Sequence, residues 1–227
     1  MSKTEERIAR LYSLILDARR AEAVALLDEA LRAEGFDSIV SNYLEPVLRT
    51  IGERWSHDSV SLAQAYVAGK VAEDMLLRFE AGEPSASARP IRGVAVLGNA
   101  EDDYHGLGRR MVGTFLRLSG WSVSDLGNDV LPGLFVDEAL RTGASVIGVS
   151  AMMLTNARNI VAVREELDKR GLAGRIGLAV GGAVFALRPG LVREVGGDGT
   201  AASAVEAPAL FDKLAAERSP VLATEDS

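Results

Sequence analysis

Gly93-Val-Ala-Val-Leu-Gly98-Asn-Ala-Glu-Asp-Asp103-Tyr-His105-Gly-Leu-Gly108 changes character twice along its length. Gly93–Leu97 is small and β-branched throughout and reads as a buried strand. A polar loop follows, and Leu107–Leu118 then takes up the spacing of an amphipathic helix. The same alternation continues downstream. Ser122–Leu126 predicts a second strand and Leu134–Arg141 a second helix. Val146–Ser150 predicts a third strand, with a helix from Asn156 to Arg170, and Ile176–Val180 a fourth strand. A short fifth strand at Val192–Val195 and a helix over Ser203–Leu214 complete the expected set. Apolar strands that alternate with helices predict an α/β domain with a parallel sheet covered on both faces. The right-handed crossover rule then favours a doubly wound, flavodoxin- or Rossmann-like sheet. Such sheets bind ligands at the carboxyl ends of their strands. The places to look for chemistry are therefore Gly98–Gly108, Ser150–Thr155, Gly181–Phe185 and Gly196–Thr200.

Upstream of this block the composition differs. Leu, Ala, Glu and Arg dominate, and glycine is sparse until about residue 82. Ile8, Leu11, Ile15 and Leu16 recur at helical spacing, as do Val24, Leu26, Leu27 and Leu31. A third helix is expected from Ser38 to Trp55, kinked at Pro46. Ser61-Leu-Ala-Gln64 has the form of a capping box and opens a fourth helix carrying Ala65, Val67, Ala68, Val71, Met75 and Leu76. The expected organisation is a four-helix bundle at 1–82, a linker at 83–91, an α/β domain at 92–216 and a disordered tail at 217–227.

Composition narrows the chemistry. The chain has 227 residues, with Lys+Arg 25 against Asp+Glu 32 and a net charge of -7. That balance argues against direct nucleic-acid binding, which draws on phosphate neutralisation. No cysteine is present, so disulfides, thiolate metal sites and thiol nucleophiles are excluded. No apolar run approaches a bilayer-spanning length, and the charged N-terminus lacks a signal-peptide pattern, so a cytoplasmic location is expected.

The two histidines are His57 and His105. Ser56-His57-Asp58 is rejected as a hydrolytic triad, because adjacent residues rarely converge on one reacting atom. His57 reads as an exposed loop residue. The loop with His105 is neither a dinucleotide fingerprint nor a P-loop, and Glu101, Asp102 and Asp103 would repel phosphate. A carboxylate two residues before an imidazole can hold one ring nitrogen and free the other for a metal. Gly106 and Gly108 would let a bulky ligand approach the backbone. A lone histidine cannot hold zinc or iron, but it can give one axial ligand to a metal already held by a macrocycle.

Asp103-x-His105-x-x-Gly108 resembles the signature of cobalamin-binding domains. Ser150-Ala-Met152 after the third strand resembles that family's Ser-x-Leu element, and Gly181-Gly182 after the fourth its Gly-Gly element. Gly196-Gly-Asp198-Gly199 is similar to its late Gly-Ala-Asp-Gly segment. Gly52-Glu-Arg-Trp55, and the helix that follows from Ser59 to Leu76, resemble the family's helical cap. The resemblance implies that His105 replaces the nucleotide base of cobalamin as lower cobalt ligand. It implies Asp103 as partner of His105, with Ser150 in that network or against the nucleotide tail, and a tail slot lined by Gly181 and Gly182. Trp55 reads equally as a bundle-core aromatic or as a cap residue over the corrin.

The resemblance also implies a function. The arrangement is similar to corrinoid proteins of methyltransferase systems, which carry a methyl group on cobalt between partner enzymes and are not stand-alone enzymes. The alternative is a cobalamin-based light or ligand sensor acting through a regulatory protein partner. Its Glu-His element is broken here, where Ala65 and Tyr66 stand instead. A mutase subunit would need a substrate barrel that this chain lacks. Methylcobalamin, hydroxocobalamin and adenosylcobalamin all stay open as the bound form, and so does a homodimer.

Overall fold

The computed structural model describes residues 3–56, 59–82 and 92–218. The stretch expected as a linker (83–91), His57 and the tail from 219 onward lie outside the described residues. The chain divides into two compact units, Met1–Pro84 and Ser85–Ser227.

The first unit is helical: α1 (Lys3–Leu16), α2 (Arg20–Glu34), α3 (Phe36–Ile39), a π-helical stretch (Val40–Leu44), α4 (Glu45–Ser56) and α5 (Leu62–Gly82). Leu11, Leu14 and Ile15 of α1 and Ala23, Val24, Leu27 and Ala30 of α2 are buried, one stripe on each helix. Arg20 forms a bidentate pair with Asp74 at 2.7 and 2.6 Å, and Arg78 reaches Asp28 at 2.6 Å, so two ion pairs tie α2 to α5. The capping box forms. Ser61 N donates to Gln64 Oε1 at 2.9 Å, and Gln64 N donates to Ser61 Oγ at 3.3 Å. Gln64 Nε2 also donates to Leu16 O at 3.0 Å, satisfying a carbonyl at the end of α1. The irregularity expected at Pro46 takes the form of the π-helical stretch just before it. Proline has no N–H and crowds the preceding turn, and a widened turn relieves both problems.

The second unit has β1 (Gly93–Asn99), α6 (Leu107–Leu118), β2 (Trp121–Asp125), α7 (Pro132–Thr142), β3 (Val146–Ser150), α8 (Leu154–Lys169), β4 (Gly177–Gly181), α9 (Ala183–Leu187), α10 (Leu191–Glu194) and α11 (Ala207–Ala216). The four strands are all parallel, in the order β2-β1-β3-β4. Phe135 of α7 and Ile160, Val163 and Leu167 of α8 bury against one face with Ile147 and Leu178. Leu116 of α6 and Phe211 and Leu214 of α11 cover the other, with Leu97 and Trp121. Helix α7 shows how local chemistry sets its limits: Pro132 opens it, and Gly143 ends it in the left-handed region at φ 67.

One expected element is wrong. Val192–Val195 is not a fifth strand: Leu191–Glu194 is the short helix α10. Leu191 and Val195 are both 1% exposed while Arg193 between them is exposed, whereas a strand would put all three on one face. The position beside β4 is taken instead by the loop after α10, through a single parallel bridge between Ala179 and Gly199. Val180 N donates to Gly199 O at 2.9 Å, and Asp198 N to Leu178 O at 2.8 Å. The last helix also starts later than expected, at Ala207.

Candidate functional site

In a sheet of order 2-1-3-4 the chain leaves β1 in opposite directions toward β2 and β3. The crevice at the carboxyl ends of β1 and β3 is the binding place of such folds. The loops after these two strands meet there through one side chain. Asp103 is fully buried, 0% exposed. Its Oδ1 accepts from His105 N at 2.8 Å and from Asn99 Nδ2 at 3.3 Å, and its Oδ2 accepts from Met152 N at 2.5 Å. The ring Nδ1 of His105 lies 2.9 Å from the same Oδ1. Burial pushes the Asp103 carboxyl up, but the N–H groups of His105 and Met152, then the His105 ring and Asn99, outweigh it and hold it below its ordinary value.

The protonation pattern follows. A carboxylate in this state is ionised near neutral pH and only accepts hydrogen bonds. Nδ1 of His105 must then carry a proton, and in the neutral imidazole this leaves Nε2 with its lone pair. The His105 side chain is 57% exposed, so the imidazole stands out from a buried anchor. The pair is built as the sequence spacing suggests, with the carboxylate behind the ring.

A second set of contacts fixes the loop. Asp102 and Asp129 both adopt positive φ, 64 and 55, which is rare away from glycine. Asp129 joins them: its Oδ1 accepts from Asp102 N at 2.9 Å, and its Oδ2 from Tyr104 OH at 2.7 Å. Asp129 N donates to Asp103 O at 3.1 Å. The loop with His105 is thus fastened to the loop after β2 on both sides of the histidine anchor. Neither Asp129 nor Asn99 stood out in the sequence. The positive φ of an aspartate has no sequence mark, and Asn99 fell in the polar loop expected after a strand ending at Leu97, whereas β1 runs on to include it.

The other candidates fall in three places. Asn99, Ser150 and Gly181 form one row across β1, β3 and β4, being register partners in turn. Ser150 is next to the network, but among the described residues no hydrogen bond joins it to Asp103; Asn99 and Met152 hold that carboxylate. Met152 contributes its backbone N–H, while its side chain is 36% exposed. Gly106 precedes α6, and a Cβ there would meet Asn128 Oδ1 at 2.9 Å, whereas Gly108 faces open space. Gly199 sits beyond β4, where a Cβ would meet Leu210 at 2.8 Å. Trp55 belongs to the other unit, in the last turn of α4.

The paired glycines after β4 have different reasons. Gly182 has φ +111, and a Cβ would lie 2.1 Å from Ala151 O, so the backbone itself demands glycine. Gly181 has nothing within 4 Å of an added Cβ. Gly182→Ala is expected to destabilise the apo protein by about 3 kcal/mol through strain and displacement of the β3 loop. Gly181→Ala should leave it within about 0.5 kcal/mol. Urea melts of the two variants read this difference, and equal midpoints would overturn it.

These residues suit one kind of ligand. Among the described residues no group of three His, Cys, Asp or Glu could hold a metal ion. A single imidazole with a free Nε2, above a sheet end with an open glycine, fits a metal that arrives in its own ring of ligands. The fold and site thus define a binding protein for a macrocyclic metal cofactor.

Comparison with known proteins agrees with this class. The B12 binding domain family matches residues 93–209, and a second B12 binding domain family matches residues 7–77. The chain is 30% identical to dimethylamine corrinoid protein 2 of Methanosarcina mazei, over 81% of this chain and 86% of that protein. It is 28% identical to the dimethylamine corrinoid protein of Methanosarcina barkeri, over 95% of this chain and 100% of that one. The solved structure of the Methanosarcina barkeri monomethylamine corrinoid protein superposes with a TM-score of 0.77 at 27% identity, covering 92% of this chain and 99% of that one. The chain belongs to the B12-binding corrinoid proteins, and its cofactor is cobalamin. No helix of the described residues is long and apolar enough to cross a membrane.

Proposed function

We propose that this protein holds cobalamin with His105 Nε2 on cobalt below the corrin, its nucleotide base displaced, and that it carries methyl groups between methyltransferase partners. The observation that carries the reading is the pairing of a buried, ionised Asp103 with Nδ1 of an exposed His105. Relatives named for dimethylamine and monomethylamine support a methylated amine as the source of the methyl group. Bound cobalamin supplies a cobalt centre that accepts a methyl group from one partner and releases it to another.

The chain's own residues prepare that centre. Asp103 holds the ring in the tautomer whose Nε2 can bind a metal. The contacts from Asp129 fasten that loop to the loop after β2. Gly181, with open space beside it, is proposed to line the slot for the nucleotide tail together with Gly182 and Ser150. Gly106, Gly108, Met152 and Gly199 are proposed to border the cofactor.

The test is direct. Apo protein incubated with hydroxocobalamin or methylcobalamin should retain one corrinoid per chain on desalting, with the spectrum of a displaced base. Methyl transfer should then follow on adding a methylamine methyltransferase. No retained corrinoid overturns the reading. Retention without transfer, together with a light-driven change of oligomeric state in the adenosylcobalamin form, would favour the sensor alternative.

A further inference from the structure

Asn99 ends β1 and is fully buried, 0% exposed. Its backbone is held at both N and O by the loop after β2: N donates to Gly127 O at 2.9 Å, and O accepts from Val130 N at 3.1 Å. The side chain is thus presented from a fixed point. Nδ2 donates to Asp103 Oδ1, the same oxygen that faces the ring of His105. The other end of the amide, Oδ1, is buried with no hydrogen-bond partner among the described residues.

An amide with an unmet buried acceptor costs stability that an apolar side chain of similar volume would not. Packing alone therefore does not account for asparagine here. What it supplies is one N–H donor aimed at one carboxylate oxygen. Asp103 Oδ2 is held by Met152 N, which leaves the carboxylate free to turn about that contact unless Oδ1 is held as well. His105 N and Asn99 Nδ2 are the two donors that hold it besides the ring. His105 N belongs to the loop, whereas Asn99 is the last residue of β1, paired with Ser150 in the sheet.

We propose that Asn99 is a positioning residue for the imidazole of His105: it fixes the plane of the Asp103 carboxylate, and thereby the orientation and tautomer of the ring. The proposal rests on the reading of His105 as the cobalt ligand for its functional meaning, but not for its first readout. The strand-end amide, with no charge of its own, acts only through geometry.

The experiment begins with apo protein labelled with 15N-histidine in a His57→Gln background, so that His105 gives the only imidazole signals. Above the ordinary imidazole titration range, the parent is expected to show the proton on Nδ1. Asn99→Leu should keep the circular dichroism of the parent and move the ring toward a mixture of tautomers. Loaded with hydroxocobalamin, it should show a fraction of cobalt-bound histidine nitrogen about 10-fold lower. Asn99→Thr, which keeps a donor on a shorter arm, should recover part of both signals. If Asn99→Leu does not fold, Asn99→Ala is read by the same measurements. Parent-like tautomer and parent-like coordination in the folded variants overturn the proposal. If the parent itself has no histidine nitrogen on cobalt, while Asn99→Leu still shifts the tautomer, the cobalt-ligand reading fails and the positioning role of Asn99 stands.

Discussion

His105→Gln is expected to fold normally, to bind cobalamin still, and to lose methyl transfer by more than about 100-fold. Loss of a residue behind a metal ligand typically costs about 10- to 100-fold, and loss of the ligand itself should exceed that. The side chain is 57% exposed, and the backbone N–H that anchors Asp103 survives the substitution. Apo stability should therefore change by less than about 1 kcal/mol. This separates ligand loss from misfolding. The check is electron paramagnetic resonance of the Co(II) form: the parent should show coupling to one axial histidine nitrogen, and the variant none. Identical spectra would remove His105 from cobalt.

Asp103→Ala is the second large effect, and its weight falls on the fold as well as the site. Three N–H donors lose their acceptor: Asn99 Nδ2 in a buried place, and His105 N and Met152 N in half-buried ones. Each unmet buried donor costs about 1–3 kcal/mol, and neighbours do not add fully, so a loss of about 4 kcal/mol is expected. The contact to Met152 also joins the β1 loop to the β3 loop, so one of the ties across the crevice would be lost, while Ala100 N still donates to Ser150 O. Urea unfolding of the apo variant reads the loss, and a midpoint equal to the parent would show that Asp103 carries no stability.

Acid should reproduce part of this effect in the parent. The Asp103 carboxyl is held below its ordinary value in the folded state, whereas in the unfolded chain it titrates near about 3.9. Between those two points the unfolded state binds more protons, so stability rises with pH there. The contribution is complete above about pH 5 and is lost as pH falls through the folded value. Glu138, held down to about 2 by Arg141 and Ser124, acts in the same direction, equally in parent and variant. The gap between parent and Asp103→Asn should therefore narrow as the solution is acidified from neutral.

Much of the fold was legible because its signals are local. A short apolar, β-branched run marked Val146–Ser150, and period-3.6 patterning marked Leu107–Leu118, at the limits they adopt. The capping box at Ser61 and Gln64 is contained in four consecutive residues and forms as expected. The failure at Val192–Val195 is also instructive. An apolar run that short has no decisive period, and burying Leu191 and Val195 while leaving Arg193 exposed fits a helix and not a strand.

The site divides the same way. The sequence by itself determined that one of its two histidines, His105, stands two residues after an aspartate in the loop after a strand. Spacing of two residues suffices for the 2.9 Å contact between Asp103 and His105, because so short a loop leaves the pair little freedom. Only the tertiary structure decided what holds that pair in place. Met152 is 49 residues from Asp103, and Asp129 is 25 residues from Tyr104; parallel strand order brings them together. The reasons for glycine at 181 and 182 likewise depend on distance in space: open space at the first, the Ala151 carbonyl at the second. A residue's chemistry is written in its type, but its protonation and orientation depend on burial and on donors supplied by distant chain segments.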